Sequence, residues 1–169
     1  GLVAFAKTFE SAGQGLPPGF PLSVRDGSAL RHAKIGLGFQ VYDVDASALT
    51  GEAALEDVAL PTGIWRYEVL VQGYPVGLAT VAKTAQGWQV VSFGGAGLAR
   101  DIHDVAMHQA QRAGTTLRYI RVPQATADFI QVQQGTAPAR FAPLQATRSL
   151  LQMQGAALVN GGLLEGNTL

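Results

Sequence analysis

The chain contains no cysteine. Disulfides, thiol catalysis and thiolate metal sites are excluded together. Charge is sparse as well: Asp, Glu, Lys and Arg are 14% of residues, where about a quarter is usual. The 12 basic and 12 acidic side chains cancel. No block of Lys or Arg occurs, so nothing attracts nucleic acid or anionic lipid over long range, and no nucleic-acid partner is expected. No apolar run is long enough to span a membrane, so no membrane span is expected. Lysine is confined to Lys7, Lys34 and Lys83, while arginine, alanine and glycine are frequent.

What is present is 169 residues, 47% hydrophobic, which suits one domain. Within it, 1–62 reads as a less regular N-terminal part, 63–155 as a sheet-and-helix core and 156–169 as a tail. The first residue is glycine rather than methionine, so a removed leader or tag is expected upstream. Leu2 to Ser11 reads as a short helix, and Ala4-Phe5-Ala6 also resembles the end of a secretory leader.

The core is organised around Ile64 to Gly114. Trp65, Tyr67, Val69 and Val71 alternate with Arg66, Glu68 and Gln72, the pattern of a half-buried strand. Gly73-Tyr74-Pro75 ends that strand. Val76 to Thr84 reads as the return strand, and Trp88 to Phe93 as a third. Connections this short require antiparallel neighbours. Gly94-Gly95-Ala96-Gly97 follows, then a helix to Ala113 with Leu98, Ile102, Val105, Ala106 and Ala110 on one stripe. Gly114 stops it, with Arg112 in the last turn.

Ala33 to Val44 reads as a strand weakened by Gly36 and Gly38, which suggest a bulge or close contact. Asp26-Gly27 marks a turn, and Ser28 is a candidate cap for a brief helix. Asp45 to Pro61 reads as a connector with at most one helical turn. Thr115 to Val122 reads as a fourth meander strand. Pro123, with Ala125, Phe129, Ile130 and Val132, fits a short helix. Arg140-Phe141-Ala142 reads as a short edge strand, Leu144 to Met153 as a helix, and the tail as loose or β-like. The expected fold is α+β: an antiparallel β-meander of four to five strands packed against one main helix, with shorter helices.

The residues present leave four chemistries to consider. Bare amides at Gly95 and Gly97 can hold an anion at a helix start, or the glycines simply permit a tight corner. The spacing is neither GxGxxG nor a P-loop, so no nucleotide cofactor is expected. Asp104 and His108 are four apart and can share a ligand, whereas His103 and His108 diverge by about 140° on a helix; two ligands fall short of a metal set. No nucleophile elbow occurs. Ser92 has no base in sequence, and the acid pairs Asp43/Asp45 and Glu56/Asp57 have no context that tunes one of them. No catalytic residue and no metal are expected. Trp65, Tyr67, Trp88, Phe93 and Tyr119, rimmed by Arg66, Arg118 and Arg121, either line a sheet face for a ligand or form the core under the helix. Trp65, Tyr67, Trp88, Tyr119 and Arg121 are the candidate partner-binding residues.

The run Trp65-Arg66-Tyr67-Glu68-Val69-Leu70-Val71-Gln72-Gly73-Tyr74-Pro75, with Trp88 and Gly94-Gly95, resembles secreted bacterial proteins sharing a W-x-[FY]-x-V-x-V-x-G-x-P hairpin. In outline it is similar to cystatin-like and PepSY-like domains, where a curved antiparallel sheet wraps a helix. The resemblance covers about residues 64 to 122. It implies that fold and a periplasmic or extracellular location, and no activity. Within it, Val69-Leu70-Val71-Gln72-Gly73 resembles the cystatin hairpin Q-x-V-x-G with valine for glutamine. The expected function is therefore a non-catalytic domain binding a protein, peptide or small ligand. The alternatives are a small enzyme or ligand carrier with a pocket between sheet and helix, and a protease inhibitor or propeptide-like domain. A deep cavity holding Asp104, His108 or Tyr119 would favour the enzyme or carrier; a filled core with exposed aromatics would favour the binding domain.

Overall fold

Alternation and tight turns build most of this chain. The computed structural model describes residues 7, 16, 18–48, 53–109, 114–153 and 163–165. Among the described residues there are eight strands: β1 (Lys34–Asp43), β2 (Leu60–Val71), β3 (Tyr74–Thr84), β4 (Gly87–Gly94), β5 (Thr115–Val122), β6 (Ala127–Gln134), β7 (Arg140–Pro143) and β8 (Leu164–Glu165). Among the described residues, the α-helices with defined bounds are α1 (Leu55–Val58), α2 (Ala96–Gln109) and α3 (Gln145–Met153). Hydrogen bonding sets the strand order β4-β3-β2-β1-β5-β6-β7-β8. The fold is α+β with a mixed sheet.

Two compact units share the chain. One comprises Gly1–Gly38 and Ile64–His103, the other Phe39–Gly63 and Asp104–Leu169. In the first unit, β2, β3 and β4 form the expected meander, antiparallel throughout. Its first turn is tighter than expected. Gln72 and Gly73 alone connect the strands, at φ 51° and 83°, the paired positive values that a two-residue hairpin matched to sheet twist requires. Tyr74 and Pro75 already belong to β3. Pro75 sits beside a register shift at Val69/Leu70, where its missing N–H is tolerated. On one face of this meander Leu22 and Leu30, with Phe20 and Val24 beside them, cover Val69, Val76, Ala79 and Phe93. The Asp26-Gly27 turn opens a 3-10 helix, Gly27–His32, but Asp26 rather than Ser28 caps it.

In the second unit the expected fourth meander strand is corrected. β5 does not continue the meander; it pairs parallel with β1, Val41 beside Tyr119 and Asp43 beside Arg121, and antiparallel with β6. Helix α2 precedes β5 and supplies the long connection that a strand entering in parallel needs. The expected helix from Pro123 to Val132 is also corrected. Pro123–Ala125 makes a 3-10 turn that stops at Thr126 in the left-handed region, and Ala127–Gln134 is strand β6. Phe129, Ile130, Gln131 and Val132 are all buried, so both faces of β6 are covered over that stretch. β7 was expected at an edge; it lies between β6 and the two residues of β8. The core here gathers Val44, Leu55, Ile120, Phe129, Phe141 and Leu164. Phe39 and Tyr119 pack ring to ring at 5.7 Å. Helix α3 lies over β6 and β7, and Thr147 Oγ1 satisfies both backbone groups of Asp128.

Several expectations fall outside the described residues: the N-terminal helix apart from Lys7, the last turn of α2 with Ala110 and Arg112, and the tail apart from 163–165.

Candidate functional site

Strand β4 ends the sheet order, so among the described residues its outer backbone edge faces no other strand. Its sequence, Gly-Trp-Gln-Val-Val-Ser-Phe-Gly, carries no charge and no proline. Trp88 is 57%, Val90 38% and Val91 52% exposed. The strand register accounts for Val91. Val81 pairs with Val90 and Thr80 with Ser92, so Val91 is an extra residue, a bulge that turns it outward.

Residues opposite one another share a sheet face. Trp65 pairs with Val81, Val81 with Val90, and Lys83 with Trp88. These five side chains therefore lie on one face, the same face that the Leu22 segment covers farther along. Trp65 and Tyr67 stack at 6.4 Å between centroids. Tyr67 is pinned against β1: a Cβ on Gly38 would stand 2.4 Å from its ring, which is why glycine is needed there. Of the predicted aromatics, Trp65 and Tyr67 are thus in contact in the first unit, and Trp88 lies two strands away on the same face. Tyr119 and Arg121 belong to the second unit. Tyr119 is 1% exposed and works as core. Arg121 meets Asp128 at 3.4 Å, half in solvent, where such pairs contribute little.

The glycine step has a backbone cause. Gly95 takes φ 66°, a value side chains rarely adopt, and its carbonyl accepts the first helical bond, from Ala99 N–H at 2.8 Å. A cavity of about 150 Å³ lies beside it, lined by Arg66, Thr80, Ser92, Gly95 and Leu98 among others; Gly97 faces solvent. A cavity of about 210 Å³ in the second unit is lined by Thr115, Gln134, Pro138 and Arg140 among others. Asp104, His108 and Tyr119 line neither. His108 Nδ1–H donates to the Asp104 backbone carbonyl at 2.6 Å, so these two residues are joined through the backbone. Among the described residues no three His, Asp or Glu side chains gather as a metal set, and no helix is long and apolar enough to cross a membrane.

Sequence reasoning missed Glu68. Alternation placed it with Arg66 on a polar face, yet it is 2% exposed. Leu37 N–H donates to its Oε2 and His103 Nδ1–H to its Oε1, each at 3.2 Å. Gly36 leaves the room: a Cβ there would lie 2.8 Å from the carboxylate. A carboxylate so placed fixes the imidazole tautomer and turns Nε2 away. No local signal separates Glu68 from Arg66; helix α2 closing over β2 does.

No protein-family model matches the chain, and comparison with curated proteins and with solved structures gives no match.

Proposed function

We propose that this chain is a non-catalytic binding domain that accepts an extended polypeptide segment as an added strand along β4. The single observation that carries this reading is the terminal position of β4, uncharged and flanked by exposed Trp88, Val90 and Val91. A row of outward N–H and C=O groups is a template for another strand. Backbone bonds supply affinity, and alternate side chains supply selectivity. Trp88 and Val90, with Trp65 and Val81 behind them, offer apolar anchors. Lys83, opposite Trp88, is the one charge on β3 or β4, so the favoured segment is uncharged with apolar residues at alternate positions. The filled core around Tyr119 and the exposure of Asp104 and His108 favour binding over a pocket enzyme. An extracytoplasmic location belongs to the same proposal and rests on the hairpin resemblance.

Selection of displayed peptides against the protein tests this. Enrichment of uncharged, alternating sequences is expected, with binding weakened at least about tenfold in Trp88→Ala, as for an interface anchor. Binders that ignore Trp88, or no binders, would overturn it. Far-UV dichroism confirms that the variant is folded.

A further inference from the structure

We propose that the strand taken up by β4 is β4 of a second copy of this chain, antiparallel across a two-fold axis at Gln89. This rests on the strand-addition reading above and names its partner. Antiparallel pairing of a strand with itself is self-complementary, as a two-fold interface must be. Centred on Gln89, the register sets Gln89 against Gln89 of the second copy and Trp88 against Val90 of the second copy. Trp88 and Val90 share one face, so both resulting pairs set an aromatic ring on a β-branched side chain, a combination sheets favour. Centring on Val90 instead would carry Trp88 past the Val91 bulge to Ser92. Centring on Trp88 would set Val90 against the turn residue Gln86.

Charge permits this partner. Strand β4 has no ionisable residue, and the chain's formal charge is zero, so two copies meet without long-range repulsion. The usual guards of an exposed edge, lysine or proline on the strand, are missing. The bulge at Val91 is the one guard present, and it falls at the end of the paired stretch.

Gln89 is exposed and lies opposite Ala82 in β3, so it can be changed without disturbing the core. Sedimentation of the full chain at concentrations on the order of 100 µM, where weak dimers register, is the measurement. The wild type sediments as a dimer. Gln89→Lys and Gln89→Glu, each alone, put like charges face to face and weaken association about tenfold or more; an equimolar mixture restores it. Because the chain has no cysteine, Gln89→Cys introduces a lone thiol, and oxidation yields a covalent dimer, since residues directly opposite hold Cα atoms about 4.5–5.5 Å apart. A monomeric wild type overturns the proposal, as does a dimer indifferent to both charges or one that Gln89→Cys fails to cross-link. A monomer that still binds displayed peptides through Trp88 removes only the second copy. Loss of both results removes strand addition as well.

Discussion

At the scale of single residues, Glu68 is the least expected feature. Burying a carboxylate costs several kcal/mol unless bonds replace water, and here one backbone N–H and one imidazole do so. His103 is 24% exposed on its side chain, which moderates the pair's worth. His103→Ala strands the carboxylate and is expected to lower stability by about 1–3 kcal/mol in denaturant titration. Exchanging Glu68 and His103 together for leucine is expected to cost less than that single change, because no charge is then left buried. Nitrogen NMR of His103 supplies an independent readout: Glu68→Gln releases the Nδ1–H tautomer. If His103→Ala is silent, the pair has no structural weight.

Asp26 gives the pH-dependent case. Hydrogen bonding from the Ser28 hydroxyl, first, and from the Ser28 and Ala29 amides holds its carboxyl below the usual range, against a smaller opposing effect of desolvation. A lowered folded value means stability present above the unfolded value and lost as pH falls through the folded one. The 3-10 helix Gly27–His32 is therefore expected to loosen below about pH 4, read as faster amide exchange at Ser28 and Ala29. Ser28→Ala is expected to move the Asp26 titration upward by carboxyl NMR. An unmoved titration would contradict the hydroxyl's role. Asp45 is held low in the same direction by Ser47.

At the scale of elements, the turn before β6 stores strain. Thr126 occupies φ 51°, ψ 35°, a left-handed conformation that a β-branched residue resists. Thr126→Asn is expected to raise stability by about 0.5–1 kcal/mol, since Asn tolerates that region. A fall in melting temperature would mean that the threonine side chain makes a compensating contact. The same turn shows why the sequence suggests a helix where β6 forms. Phe129, Ile130 and Val132 are a short apolar run, and period alone does not separate buried strand from helix over so few residues. Pro123 suggested a helix start and delivered only three residues of 3-10.

At the scale of the whole molecule, β1, β2 and α2 each contribute residues to both compact units. Both tryptophans, Trp65 and Trp88, lie in the first unit. Their fluorescence therefore reports that unit, while far-UV dichroism reports all the strands and helices. Shared elements predict coincident unfolding transitions by the two probes; separated midpoints would show the units unfolding independently. The parallel β1–β5 pairing joins residues far apart in sequence, Val41 with Tyr119, so its loop closure slows folding.

The amino-acid order alone determined the local pieces. Clean alternation marked β2, glycine marked its turn, helical spacing marked α2, and the missing cysteine removed thiol and disulfide chemistry. These rest on interactions between near neighbours, which leave periodic traces. Tertiary structure decided which strand lies beside which. That β5 enters parallel to β1, that Glu68 is sealed under α2 while Trp88 stays in solvent, and that β4 is left at the end of the order depend on contacts between distant segments. A side chain's burial is set by what closes over it, and alternation along one strand carries no record of that.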